Sequence, residues 1–290
     1  WIVVMREGLL DPMWEALGRG YVGDWAYYVF TSQGDRVERA ALGVGGYRLE
    51  QCHVYDYFGG AGELASYVAE RDPDRIGVNM AESIGGADGL SHTSYNHLVE
   101  ELGSYGDRLV SAERFVSDFR STRTALEIAT FAQAGEISRE IAERAFSNEV
   151  ITPGVTTLED VAWWMSDQQL DRGLESSFDM PSVYVTGPEG IVASSSDRII
   201  QRGDLLMLDW GVGYLDFYTD MKRIAYVLRD GETEAPAGIR HAFERGRQVR
   251  DVMKATIRPA ASAGEALERT WVALEAEGFN RIEFNQPTQD

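Results

Sequence analysis

A long amphipathic helix is the clearest element in the pattern of hydrophobic and polar positions along the chain. Thr124 followed by Glu127 has the spacing of a capping box, in which two side chains bond the free amide groups at a helix start. Apolar residues then recur at intervals of three to four positions, the period of one helix face. They are Ile128, Phe131, Ala134, Ile137, Ile141 and Ala145. The pattern predicts a helix of about six turns that packs this face against a core.

A second helix and a group of strands follow. The turn at residues 151–154 ends the first helix, and Thr157 with Asp160 repeats the capping-box spacing. The apolar stripe of this second helix consists of Val161, Trp164, Met165 and Leu170. Three runs rich in β-branched and aromatic residues then predict strands. They span residues 182–186, 205–210 and 217–228.

The last part of the chain repeats this order of elements. Two helical patterns, residues 237–256 and 264–277, precede an apparent strand at residues 282–284. Helices followed by strands, twice over, indicate a duplicated α+β unit. At a spacing of 106 residues the turn proline, the acid that opens the second helix and a Phe-x-x-Pro sequence all recur. Few positions match, so chance resemblance of two similar units stays open.

The first part of the chain has a different pattern. Short β-rich runs alternate with candidate helices and glycine-rich turns as far as about residue 118. This alternation predicts a small α/β domain over residues 1–118, followed by the α+β domain over residues 119–290. The chain lacks an initiator Met and stops just after an apparent strand, so we expect both ends to be incomplete.

Composition and charge exclude several classes of protein. With 290 residues, of which 44% are apolar, the chain can bury a sizeable core and is not a disordered tail. A net charge of −20 repels phosphate backbones, so no nucleic-acid partner is expected. The apolar runs are far shorter than the roughly 20 residues that cross a bilayer, and no signal pattern opens the chain, so no membrane association is expected.

Cysteine and histidine usage add little chemistry. The single cysteine, Cys52, cannot form an internal disulfide, which favours a reducing compartment and hence the cytoplasm. The four histidines share no spacing typical of a metal site.

Two aspartates carry the most informative signal. If residues 205–210 and 217–228 form a hairpin with a four-residue loop at 213–216, Asp209 lies opposite Asp220 on the same face. Two carboxylates about 5 Å apart repel by roughly 3 kcal/mol at an effective dielectric constant of about 20. A shared proton or one or two divalent cations would relieve this repulsion. In a different register, Asp220 would instead cap a turn or pair with Lys222 or Arg223.

These residues resemble a known family. Asp209-x-Gly211 followed by Thr219-Asp220-x-x-Arg223, with the second aspartate eleven positions after the first, is similar to the pita-bread metallopeptidases. That group contains aminopeptidase P, prolidase and methionine aminopeptidase, with creatinase as a relative without metal. Residues 151–156 and 196–204 resemble the same family's helix and strand starts. The likeness covers about residues 122–290, and the preceding domain resembles the creatinase-type amino-terminal domain, which favours the proline-specific branch.

The resemblance implies a metal-dependent enzyme that hydrolyses N-terminal Xaa-Pro peptide bonds. It implies two divalent metal ions, with Mn²⁺ expected and Co²⁺ or Zn²⁺ as alternatives, that activate a water for attack on the peptide carbonyl. Asp209 would bind one metal and Asp220 would bridge both. The other implied ligands, one histidine and two glutamates, belong to the second copy of the sheet, which we expect to lie beyond residue 290. A peptide substrate and a homodimer are implied by fold analogy alone.

One departure from the family pattern leaves an alternative open. The family usually has a substrate-binding or proton-shuttling histidine shortly before the Ser196-Asp197-Arg198 segment, and Val192 stands at that position. The chain could therefore be a non-catalytic pita-bread module that binds peptides, or an inactive fragment without the remaining ligands. No catalytic or substrate-binding residue is assigned from the sequence.

Overall fold

The computed structural model describes residues 1–18, 20–45, 54–188, 190–258 and 262–280. The chain divides into two compact units, Trp1–Thr124 and Ala125–Asp290. The boundary expected from the sequence, between residues 118 and 119, lies six residues earlier, within a helix that spans Glu113–Ser121. Among the described residues, no helix is long and apolar enough to span a bilayer.

The first unit is built on a mixed sheet, of which the described part of the chain supplies six strands. Its strands are β1 (Ile2–Met5), β2 (Tyr21–Ser32), β3 (Val37–Gly45), β4 (Tyr57–Gly59), β5 (Ile76–Val78) and β6 (Leu109–Ser111), in the spatial order β4-β3-β2-β1-β5-β6. The helices are α1 (Trp14–Leu17), α2 (Leu64–Arg71), α3 (His92–Leu102) and α4 (Glu113–Ser121). Strand β1 pairs antiparallel with β2 and parallel with β5. The α/β character expected for this part of the chain is confirmed.

Burial on both faces explains why β1 is continuously apolar. Ile2 and Val4 belong to one buried cluster, together with Leu64 of α2 and Leu98 of α3. The alternate residues of β1 belong to a second cluster that includes Val116 of α4. Successive side chains of a strand point to opposite faces, so a strand covered on both sides needs apolar residues at every position.

In its described residues, the second unit contains four helices and two small sheets. The helices are α5 (Ala125–Ala145), α6 (Leu158–Asp171), α7 (Ala237–Thr256) and α8 (Ala263–Ala276). The strands are β7 (Glu175–Ser176), β8 (Ser182–Gly187), β9 (Gly190–Ala193), β10 (Leu205–Trp210), β11 (Val212–Tyr214), β12 (Phe217–Tyr218) and β13 (Met221–Tyr226). One sheet has the order β13-β10-β8-β9 and the other the order β12-β11-β7. The predicted helices of residues 124–277 are therefore present, and so are the strands predicted at 182–186 and 205–210. The strand predicted over residues 217–228 is divided into β12 and β13, and β7, β9 and β11 are additional.

Helices α5 and α6 cover one face of the four-stranded sheet. Ile141 of α5 and Met165 of α6 are fully buried in one cluster with Leu206, Leu208 and Trp210 of β10. The C-terminal half of the predicted α5 stripe is therefore core. Its first turns are not, because Ile128 is 59% and Phe131 47% exposed.

Two further sequence predictions are not confirmed. Leu170, assigned to the apolar stripe of α6, is 69% exposed, because the helix turns it away from the sheet in its last turn. The predicted strand at residues 282–284, and with it the repeated Phe-x-x-Pro sequence, lies outside the described residues.

The capping box of α6 is present as predicted. The Asp160 amide donates to Thr157 Oγ1 at 3.0 Å, and the Thr157 amide donates to Asp160 Oδ2 at 2.8 Å. Two amide groups that the helix itself cannot satisfy thus find partners. The same hydrogen bonds hold the pKa of Asp160 below its usual value.

We predict that Thr157→Ala lowers the free energy of unfolding by about 1 kcal/mol, because the Asp160 amide loses its acceptor. The change would be measured by urea unfolding followed by tryptophan fluorescence. Ser166→Ala, on the same helix and outside the capping box, is the control and is expected to be no less stable than the wild type. Equal stability of the two variants would contradict the assigned cap.

Candidate metal site on strands β10 and β13

The alternating burial of β10 decides where Asp209 points. Leu206, Leu208 and Trp210 are fully buried beneath the helices, whereas the alternate residues Leu205, Met207 and Asp209 are partly exposed on the opposite face. Because β10 lies between β8 and β13, its backbone is hydrogen-bonded on both sides. Asp209 therefore projects from a well-fixed backbone on the face away from the helices.

The hairpin register differs from the predicted one. Strand β10 pairs with β13 so that Asp209 faces Lys222, and β11 pairs with β12 so that Tyr214 faces Phe217. The prediction that Asp209 lies opposite Asp220 is therefore wrong by two residues. Its cause is the loop, which contains two residues and not four.

The geometry of the short loop explains the shift. Leu215 and Asp216 have φ values of 50° and 64°, the left-handed conformation that a two-residue type I′ turn requires at both positions. The backbone twist of such a turn matches the twist of the flanking strands, so two residues are enough to connect them. Leucine is rarely found in this conformation, so the sequence contains no signal for the turn.

A shift of two residues leaves both aspartates within reach of one point. Lys222 Nζ lies 3.1 Å from Asp209 Oδ1 and 2.5 Å from Asp220 Oδ1. An odd shift would have moved one side chain to the other face of the ribbon. The expected convergence of the two acids is therefore present, but the positive group between them is the Lys222 ammonium, as in the alternative register considered for the sequence.

Lys222 is the site residue that the sequence reasoning missed as a neighbour of Asp209. Hydrogen bonding to Asp220, and then to Asp209, raises the pKa of Lys222 above its usual value, so the ammonium is charged at neutral pH. The side chains of Asp209, Lys222 and Asp220 are 32%, 53% and 64% exposed. Knowledge of the two-residue turn would have revealed this contact, but the sequence carries no signal for that turn.

One oxygen of Asp209 retains acceptor capacity. Asp209 Oδ1 is buried, and the Lys222 ammonium at 3.1 Å is the partner that the described structure gives it. A carboxylate oxygen with free lone pairs, facing a second carboxylate, suits a hard divalent cation. The two aspartates therefore fit a metal as a pair of oxygen donors.

Among the described residues, the rest of the implied ligand set is not found near them. Across the ranges that the structure describes, no group of three or more His, Cys, Asp and Glu side chains is placed to hold a metal ion. In the second unit, His241 is exposed near the start of α7. Val192, at the position of the family's usual histidine, lies on edge strand β9 and is 69% exposed.

The glycine of the Asp209-x-Gly211 sequence has a packing role. A Cβ atom at Gly211 would lie 1.8 Å from the Thr219 carbonyl oxygen and 1.9 Å from Ser177 Oγ. The Gly211 carbonyl also accepts a hydrogen bond of 2.8 Å from the buried Gln169 amide. Only glycine allows the returning strand to approach this closely.

The threonine before Asp220 anchors the returning strand. Thr219 Oγ1 accepts from the Val212 amide at 2.9 Å and is hydrogen-bonded to Ser138 Oγ of α5 at 2.7 Å. Both side chains are buried. Asp220 is thus held one residue beyond a fixed point.

The two other segments that carried the family resemblance lie together. The Gly154 amide donates to the Ile200 carbonyl at 2.7 Å, and the Ile200 amide donates to the Thr156 carbonyl at 2.9 Å. Arg198 donates to both oxygens of Asp204 at 3.0 and 3.1 Å, just before β10 begins. These segments are therefore joined to each other just before β10 begins.

Comparison with known proteins gives a family match. The model of metallopeptidase family M24 matches residues 129–286. A search of curated proteins finds no match.

Solved structures are similar over nearly the whole chain. An X-Pro aminopeptidase from Thermotoga maritima MSB8 is 15% identical with a TM-score of 0.64, over 96% of this chain and 75% of that chain. An Xaa-Pro dipeptidase from Bacillus anthracis is 18% identical with a TM-score of 0.58, over 96% and 73%. The His361Ala form of Escherichia coli aminopeptidase P is 16% identical with a TM-score of 0.61, over 95% and 69%. At these identities the likeness shows the fold, and the predicted pita-bread fold class is confirmed.

We predict that Thr219→Val lowers the free energy of unfolding by about 1–3 kcal/mol, because the buried Val212 amide loses its side-chain acceptor while the volume is kept. Thr219→Ser keeps the hydroxyl and is expected to retain most of the lost stability. Chemical unfolding of both variants measures the difference, and equal losses would show that the hydroxyl is not the anchor.

Proposed function

The chain belongs to metallopeptidase family M24, and on that premise we propose that it acts in the metal-dependent hydrolysis of N-terminal Xaa-Pro peptide bonds. Solved structures with the same fold are named X-Pro aminopeptidase, Xaa-Pro dipeptidase and prolidase, which supports the proline-specific branch. The observation that carries the proposal is the convergence of Asp209 and Asp220 on one point within 3.1 Å of both carboxylates.

In this proposal Asp209 and Asp220 hold the metal. The buried lone pairs of Asp209 Oδ1 and the exposed carboxylate of Asp220 are the oxygen donors, and the paired strand β10 keeps the first of them in place. A bound divalent ion would supply an activated water as the nucleophile for the peptide carbonyl. Mn²⁺ is the proposed ion, with Co²⁺ or Zn²⁺ as alternatives, since carboxylate oxygens suit hard cations.

The remaining parts of the proposal come from the family resemblance. One histidine and two glutamates complete the site, a peptide is the substrate, and the protein acts as a cytoplasmic homodimer. The net charge of −20 disfavours a nucleic-acid partner, and the single cysteine favours a reducing compartment such as the cytoplasm.

A non-catalytic peptide-binding module is the second candidate function. Two observations favour it: Val192 stands in place of the usual histidine, and an ammonium lies between the two acids. An M24 chain that kept its cleft and lost its metal would bind Xaa-Pro peptides without cleaving them.

We predict Mn²⁺-dependent release of the N-terminal residue from an Xaa-Pro peptide, reduced at least about a hundredfold by Asp209→Asn or Asp220→Asn. The expected size exceeds the 10–100-fold effects of groups that only support metal ligands. Hydrolysis would be followed by chromatography of the products with Mn²⁺ and with EDTA.

Asp230→Asn is the matched control, because Asp230 is 88% exposed and pairs with Arg202 away from the two acids. It should retain wild-type activity. Activity that survives EDTA or Asp209→Asn would contradict the proposed metal role, whereas peptide binding without cleavage would favour the binding module.

A further inference from the structure

Lys222 occupies the position between the two candidate ligands. It lies on β13 directly opposite Asp209, and its ammonium is within 3.1 Å of Asp209 Oδ1 and 2.5 Å of Asp220 Oδ1. The oxygens that would bind a cation are therefore already neutralised by a side chain of the same chain. The Lys222 ammonium therefore offsets the repulsion between the two carboxylates without a metal.

An ammonium and a divalent cation cannot share this place. Both seek the same two oxygens, and at separations of a few ångströms their like charges repel. We propose that Lys222 is an intrinsic competitor of the metal, so that a divalent cation binds Asp209 and Asp220 only when the Lys222 ammonium leaves them. The inference rests on the proposed function, because it takes the two aspartates to be metal ligands.

The placement of Lys222 allows such an exchange. Its side chain is 53% exposed and emerges from edge strand β13, whose outer side pairs with no strand among those described. A lysine ammonium on a flexible four-carbon stem can turn into solvent without moving the backbone. The backbone of Asp209 stays in place meanwhile, because β10 is paired on both sides. Rotation of the Lys222 side chain into solvent would therefore free the two carboxylates for a metal ion, while the strand that carries Asp209 stays in place.

Arg223 provides a matched comparison. It is the next residue on β13, it faces Leu208 in the register, and its guanidinium donates to the Lys222 carbonyl. Successive residues of a strand point to opposite faces, so Arg223 carries the same charge on the side away from Asp209. Loss of either charge changes the net charge of the chain equally.

Calorimetric titration with Mn²⁺ tests the inference on the full chain. Lys222→Gln is expected to bind Mn²⁺ at least about tenfold more tightly than the wild type, while Arg223→Gln keeps wild-type affinity. Lys222→Arg, which retains the charge, should bind no more tightly than the wild type. Circular dichroism would establish that each variant is folded.

A second measurement does not depend on metal affinity. In EDTA, Lys222→Gln leaves the two carboxylates without a neighbouring cation, so its unfolding temperature is expected to fall below that of the wild type. Mn²⁺ should then raise the unfolding temperature of Lys222→Gln more than that of the wild type.

The outcomes separate the two proposals. If Lys222→Gln and the wild type bind Mn²⁺ equally, and adding Asp209→Asn abolishes binding in both, the aspartates are ligands but Lys222 is no competitor. If Lys222→Gln binds no Mn²⁺, the metal role of the aspartates and the competition both fail. Equal tightening by Arg223→Gln would reduce the effect to net charge and overturn the inference.

Discussion

The pairing of strand β10 with strand β13 determines where the charged side chains of the candidate site lie. Its backbone hydrogen bonds set Asp209 opposite Lys222 and bring Asp220 close enough for one ammonium to contact both carboxylates. Since side chains alternate along a strand, this single register also decides that Leu206 and Leu208 are buried under the helices while Asp209 faces outward. The core and the site are therefore two faces of the same pairing.

Packing beneath the ribbon maintains that register. Gly211 allows close approach of the Thr219 backbone, and Thr219 is tied to Val212 and to Ser138 of α5. Gly211 lies between β10 and β11 in the chain, and Thr219 lies between β12 and β13. The glycine and threonine that accompany the acids in the family resemblance are thus explained by geometry, since they fix where the acids lie without touching a cation.

Family membership and local chemistry give different kinds of information about this protein. The M24 match over residues 129–286 and the shared fold identify the scaffold. The electrostatics around Asp209 belong to this chain, where an internal ammonium balances the acids and Val192 stands at the usual histidine position. A scaffold at 15–18% identity can keep its core while the charges on its open face change, because core packing constrains volume and pattern more than it constrains surface charge.

The sequence by itself determined several helices and strands and the placement of both acids on one face of the ribbon. Helical periodicity and the Thr157–Asp160 capping box are local, so α5, α6 and the strands β8, β10 and β13 could be predicted from neighbouring residues alone. Only the tertiary structure decided the register, the contact of Lys222 with both acids, and the exposure of Ile128 and Leu170. Strand registers differing by two residues have the same hydrophobic pattern, so the sequence cannot distinguish them. The choice between them depends on the left-handed turn at Leu215 and Asp216 and on the close contact at Gly211, which exist only when the strands meet.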